Sequence, residues 1–325
     1  MPALSRRLAR IAFVGMLAWL GLLFVPLATQ PGPAEEVGRL VLLVPLVLAP
    51  LYLAASAPAP SEPAPRALSL ASWLLLPSAL AAAASLLVPV GPLAGALAVP
   101  WALAAGAVAA WAVVDGVRQW QTGALDTSGV AVAVGWATLP GGAVWLCLAR
   151  SGVGTGYGEL IELLTAAHFH YAGGLAAVWA GLLGRTLRPA LRSVHRALIV
   201  GLVGGFWGVA VGIALSRGPA GGSPVETVAV VVLAASAAGV GVLGLVRAGR
   251  FEDRTAGLMV AVSGGALALA MGLALWFHGG ARLGVDAPDV RWMVSRHGWL
   301  VAFGFALWGA LGWRRLRPRP SGLEK

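Results

Sequence analysis

Three histidines set inside apolar runs are the residues of this chain best suited to chemistry. His168 and His170 stand in Leu164-Thr165-Ala166-Ala167-His168-Phe169-His170-Tyr171, and His297 in Ser295-Arg296-His297-Gly298. Ionisable groups in such runs are costly and mark sites or proton paths. Neutral imidazole carries protons near neutral pH and is a preferred ligand for haem iron and several transition metals. Glu159, Glu162 and Thr165 lead into the first pair and Tyr171 follows it, so the pattern reads as a polar entrance to imidazoles.

Spacing constrains what these rings can share. Residues two apart on a regular helix point about 200° from each other, so His168 and His170 serve different neighbours. His168 is 16 residues from Gly184, and His297 is 16 from Trp313. At helical rise each lies about 24 Å from the arginine-rich ends of those runs. Both therefore fall roughly 6 Å below the far edge of a ~30 Å hydrocarbon layer. A lone intramembrane histidine is as often a hydrogen-bonding tie between helices as a ligand. Two in a His-x-His run, level with a third, shift the balance toward a site.

The remaining candidates are weaker. His278 closes an apolar run, His195 sits among arginines and Asp115 lies at a helix end, so all three read as boundary residues. Cys147 is the one cysteine, which excludes an intrachain disulfide or thiolate cluster, and it reads as a small buried hydrophobe. No nucleophile motif or acid pair accompanies the histidines, so a classical enzyme is not expected.

The elements that must position these residues are apolar helices. Of 325 residues 58% are hydrophobic and 11% charged, with a mean hydropathy of +0.83. A water-soluble domain carries about a quarter charged residues, so lipid must cover much of this surface. Ten windows approach the length of a membrane span: 8–29, 38–55, 68–89, 93–114, 129–149, 159–184, 194–216, 225–246, 256–277 and 290–313. The fold expected is an all-α polytopic bundle of about ten spans in one integral membrane domain. Short breaks rich in Pro, Gly or charge separate the windows, and no soluble domain or convincing internal repeat is visible.

Charge gives the orientation. One set of connecting segments carries 17 Lys and Arg; the other carries six, namely Arg39, Arg150, Arg217, Arg282, Arg291 and Arg296. The positive-inside rule then puts both termini in the cytoplasm and the histidines in the outer half of a bacterial or archaeal cytoplasmic membrane. The net charge of +10 belongs to this bias and to anionic lipid, not to nucleic acid. The first window has an Arg-rich start like a signal peptide, but its apolar stretch is long and its cleavage pattern poor, so a retained span is expected.

The run Leu164-Thr165-Ala166-Ala167-His168-Phe169-His170-Tyr171-Ala172-Gly173, with His297-Gly298 and Gly304-Phe305, resembles the YndJ-like family of bacterial membrane proteins. That resemblance implies the ten-span body. Where the family's second motif has an Asn four residues after the His, this chain has Val301. The shorter run Ala167-His168-Phe169-His170-Tyr171 is similar to the helix of haem-copper oxidase catalytic subunits that presents two histidines to two haems. The oxidase's copper ligands have no counterpart here, which removes terminal oxidase activity from that resemblance.

Three functions follow as expectations. The first is a b-type haem or transition-metal site formed by His168, His170 and His297, used in redox chemistry, sensing or haem handling, with Gly173 and Gly174 making room for a macrocycle. The second is a proton- or cation-linked transporter of a small solute, with Glu159 and Glu162 as its mouth. The third is a structural or assembly protein in which the histidines only join helices.

Overall fold

The computed structural model describes residues 3–56, 66–215 and 223–316. Ser216 of the seventh window, the side chain of Arg66, and the charges Arg217, Arg317, Arg319 and Lys325 lie outside what it describes.

Among the described residues ten helical runs appear, close to the ten apolar windows. They are α1 (Ala3–Leu22), α2 (Pro33–Ser56), α3 (Arg66–Ser85), α4 (Pro92–Gln121), α5 (Thr127–Ser151), α6 (159–184), α7 (Arg192–Leu215), α8 (Pro224–Ala248), α9 (Arg254–Leu283) and α10 (290–316). No strand occurs among the described residues. Seven runs are long and apolar enough to cross a membrane: α2, α3, α4, α5, α7, α8 and α9. The others have identifiable reasons to be less lipid-like. Three arginines open α1, and α6 and α10 carry the histidines and stand among other helices.

Two boundaries differ from the windows. Helix α1 stops at Leu22, not near Thr29, because Pro26, Pro31 and Pro33 crowd the following segment. Arg39 takes up the freed end, donating to the carbonyls of Leu22 and Val25 at 3.2 Å each. Helix α2 starts five residues before its window. Pro33 suits the first turn, and the Glu35–Arg39 ion pair at 2.7 Å lets a charged turn join an apolar helix. Elsewhere side-chain caps fix the starts: Asp126 accepts from Gly129 N–H at 2.8 Å, and Asp289 from Trp292 N–H at 2.7 Å.

The helices alternate in direction. Contacts among the 22–33, 85–92 and 150–159 segments and the start of α10 define one face, here called the Arg150 face. The opposite face holds Asp126, Arg185 and Asp253. Helices α3, α4 and α5 pack in sequence, as do α7, α8 and α9, while α2 and α6 sit between them in contact with α10. Nearly all of the apolar part of α2 is buried, as is the whole of α6 from Gly173 to Gly184. One continuous core runs from Leu4 to Trp313.

These three inner helices share an irregularity that the sequence windows did not signal. Each contains π-helical turns: Val44–Leu48 in α2, Phe169–Leu175 in α6, and Val294–Gly298 with Leu300–Leu307 in α10. Such turns are rare and recur at functional sites. In α2 a carbonyl here pairs with the N–H five residues on, as Val44 does with Ala49. Just before this π turn the Val44 N–H, which in a regular α-helix would serve the Leu40 carbonyl, turns to the carbonyl of Val41, whose own α-helical donor would be the missing N–H of Pro45. The hydroxyl of Tyr171 on α6 donates to the Leu40 carbonyl at 2.8 Å. In α10 the Phe305 carbonyl, which also takes the Trp308 N–H, accepts from the Ser263 hydroxyl at 2.6 Å, and the Ala306 carbonyl accepts from Tyr52 at 3.1 Å.

Close packing depends on glycine where backbones meet. A Cβ on Gly15 of α1 would lie 1.9 Å from the Leu46 carbonyl oxygen of α2. Gly241 of α8 and Gly264 of α9 stand in the same relation to each other, at 2.4 Å.

At the opposite face Asp253 caps α9 through Ala256 N–H at 3.0 Å and receives Arg315 at 2.9 Å. The backbone N–H first, and then Arg315, hold this carboxyl below the usual aspartate range. A depressed carboxyl stabilises the fold above its unfolded value near ~4 and loses that contribution as pH falls through its lower folded value. Melting curves of wild type and Asp253→Asn should therefore converge as the pH is taken below about 4. A constant offset down to the lowest pH would remove Asp253 from the acid response.

Candidate functional site

His168 and His297 share one arrangement. His168 Nδ1 donates to the Leu164 carbonyl one turn back at 2.7 Å, and its ring is exposed on the side of α6. His297 Nδ1 donates to the Ala270 carbonyl of α9 at 3.0 Å, and its ring is half-buried. With the proton on Nδ1, each Nε2 carries a free lone pair. No hydrogen-bond partner of either Nε2 occurs among the described residues. Helices α6 and α10 touch at their π turns, Phe169–Leu175 and Leu300–Leu307, next to His168 and close to His297 in sequence. The residue counts from Gly184 and from Trp313 both pass through π turns, which advance less per residue, so both histidines shift together.

His170 is different. It is fully buried, and both nitrogens are used. Nδ1 donates to the Ala166 carbonyl at 2.8 Å, and Nε2 accepts from Trp101 Nε1 of α4 at 3.1 Å. The rings of Trp101 and His170 stack with centroids 6.0 Å apart. On the α5 side a Cβ at Gly142 would come within 2.4 Å of Nδ1. His168 and His170 thus face different neighbours, as the 200° separation requires, and only His168 keeps a lone pair.

The acids ahead of the histidines are tied to the protein. Glu159 accepts from Arg150 at 2.5 Å through one oxygen and from Gln30 N–H at 2.8 Å through the other. Arg150, wholly buried, also donates to the carbonyls of Ser85 at 3.1 Å, Ala28 at 2.9 Å and Val88 at 2.7 Å. Its own carbonyl accepts from Gly91 N–H at 3.0 Å. Just beyond it Gly152, at φ 75°, ends α5 in the left-handed turn that leads to α6. Glu162 accepts from the Thr155 hydroxyl. Thr165 donates back to Ile161 O at 2.7 Å. The polar entrance read from the sequence is a set of internal ties, and it offers the imidazoles no open carboxylate.

Gly173 and Gly174 do not frame a slot. A Cβ on Gly173 would meet Phe206 and Thr138 at 2.6 Å, and one on Gly174 would meet the Phe169 carbonyl at 3.2 Å. The space beside them is filled by the ring cluster of Phe169, Phe206 and Trp207, with centroids 5.1 to 5.8 Å apart. Among the described residues no three His, Cys, Asp or Glu side chains gather to hold a metal ion by themselves.

The boundary residues behave as boundary residues. His195 Nε2 donates to the Ala180 carbonyl at 2.9 Å, joining α7 to α6. His278 pairs with Arg282 one turn on. Near the same end as His195, burial pulls the Arg185 guanidinium below its usual range, and Asp126 and Asp115 act in the other direction.

Trp101 and Arg150 are the partners that sequence reasoning missed. Trp101 meets His170 across 69 residues, and Arg150 meets Glu159 across the turn between α5 and α6, with no helical spacing to announce either pair.

Comparison with known proteins agrees with this architecture. The model of the family described as YndJ-like protein matches residues 39–305, which include α6 and His297. The uncharacterized membrane protein YndJ of Bacillus subtilis (strain 168) is 27% identical over 207 residues, covering 61% of this chain and 35% of that protein. The matched part of this chain therefore spans about a third of that relative's length. No solved structure matches.

Proposed function

The chain belongs to the YndJ-like family of multi-pass membrane proteins, and from that premise we propose that it binds a transition metal between the imidazoles of His168 and His297. One observation carries the reading. Both rings have Nδ1–H fixed on a backbone carbonyl and Nε2 left free, on two helices that are distorted by π turns and touch each other. A metal-ligating histidine has this form, since the carbonyl sets the tautomer and raises the basicity of the other nitrogen. His170 has no lone pair to give and acts as a packing residue of the α4–α5–α6 contact.

Two protein ligands leave coordination positions open to a substrate, a gas or a passing ion. That suits redox, sensing or metal-handling roles. Haem iron with two axial imidazoles would use the same pair. A bare ion is favoured because the glycines beside the site are filled by neighbouring side chains. The bias of Lys and Arg supports a site in the outer half of a bacterial cytoplasmic membrane.

The test is metal analysis of detergent-purified protein, with oxidised and dithionite-reduced spectra of the same sample. One metal or one haem per chain, lost in both His168→Gln and His297→Gln and kept in His278→Gln, is the expected result. A folded, colourless, metal-free protein that takes up no ion on titration would overturn the proposal and leave the histidines as helix ties.

A further inference from the structure

We propose that Arg188, Arg247 and Arg250 hold the headgroup phosphate of an anionic phospholipid in the leaflet at the face opposite Arg150. They stand where the turn from α6 to α7 meets the turn from α8 to α9. Arg247 Nε donates to the Thr186 carbonyl at 2.8 Å, which brings the last turn of α8 against the segment two residues before Arg188. Arg250 follows one turn on, its backbone N–H bonded to the Arg247 carbonyl at 3.0 Å. The Arg247 guanidinium is fixed but not used up. Its Cζ lies 4.3 Å from the centroid of Phe251, a buried ring that packs edge-on against Trp313. Neither Nη1 nor Nη2 has a partner among the described residues, and the side chain is half-buried. A guanidinium held in place with its terminal nitrogens open suits two-pronged binding of a phosphate.

Arg188 and Arg250 are exposed, and none of the three arginines forms an ion pair among the described residues. Two carboxylates of this face are engaged elsewhere, Asp253 with Arg315 and Asp115 with Arg118. Glu252, exposed beside Phe251, forms no ion pair either. Arginines at a helix C-terminus can simply complement its carbonyls, and Arg250 does reach Val246 O at 3.1 Å. Arg247 departs from that pattern, because its bond crosses to another turn. The lower part of α8 favours a lipid over free phosphate. Val242 and Val246 lie one turn apart on one exposed face, and Arg250 extends the same line. An exposed apolar strip that runs into an arginine cluster at a helix end fits an acyl chain beneath an anionic headgroup. Free phosphate would use the arginines alone.

The experiment is lipid retention by the full chain in detergent. Delipidated protein is incubated with mixed micelles holding equal dioleoylphosphatidylglycerol and dioleoylphosphatidylcholine, repurified, and its bound lipid measured, with and without millimolar inorganic phosphate. The expected result is one phosphatidylglycerol per chain in preference to phosphatidylcholine, undisturbed by phosphate. Arg247→Gln, and the double variant Arg188→Gln with Arg250→Gln, should each lower that retention roughly tenfold. The exposed pair in the double variant carries no interhelical bond, so its melting in lipid-free detergent should match wild type. Arg6→Gln with Arg10→Gln removes the same charge from exposed positions at the start of α1 and should leave retention unchanged. Equal retention of the two lipids by wild type would overturn the proposal. So would equal losses in the two double variants, which would mean diffuse attraction, or no loss in any variant. Displacement of the lipid by phosphate would make this a free-anion site and overturn the lipid assignment.

Discussion

Replacing Arg150 by Met is expected to cost about 3–5 kcal/mol of stability, because it strands a buried carboxylate and removes the donors of several buried carbonyls. The guanidinium serves Glu159 and the carbonyls of Ala28, Ser85 and Val88, and so joins segments that precede α2, end α3, precede α4 and open α6. Adding Glu159→Leu should restore part of the loss by removing the stranded charge, but not the part due to the carbonyls. Thermal unfolding in detergent of the two variants and wild type measures both parts. If Arg150→Met melted within a few degrees of wild type, the guanidinium would not be what holds this face together.

Gly15→Val should be the next most damaging substitution. The added Cβ falls 1.9 Å from the Leu46 carbonyl oxygen, so α1 must move away from α2 along their contact. Overpacking of this kind costs about 1–3 kcal/mol, and the upper end applies because the obstruction is backbone and has no rotamer to change. Gly21→Val is the control, because a Cβ at Gly21 meets nothing within 4 Å. Equal melting temperatures for the two variants would show that α1 packs loosely.

Most of the fold was legible because membrane helices announce themselves by length and polarity. The window for α6 matches the helical run 159–184 end to end, and those for α5 and α8 miss by two residues or fewer. The error at α1 came from reading apolar residues beyond Leu22 as helix despite three nearby prolines. The site was legible in part. Helical arithmetic separated His168 from His170 and levelled His168 with His297. It did not reveal which ring was free, because that depends on Trp101, 69 residues away. The acids were read as open because their partners stand outside α6, Arg150 at the end of α5 and Thr155 in the turn that follows it. A carboxylate near a membrane boundary looks open until its partner is known, and Arg150 had been counted only as one more charge on the sparsely basic side.

The contact between Tyr171 and the Leu40 carbonyl also bears on how this bundle can move. Next to the π turn of α2 the Leu40 carbonyl accepts the phenol of Tyr171 from α6. That bond fits one longitudinal register of the two helices. Sliding α2 by one residue, about 1.5 Å, would carry the carbonyl away from this hydroxyl. Tyr52 sets a second such mark between α2 and α10. The inner helices are thus indexed against one another along the membrane normal. Any working motion must be a tilt or a rotation about these marks, and a piston stroke is excluded without first breaking them.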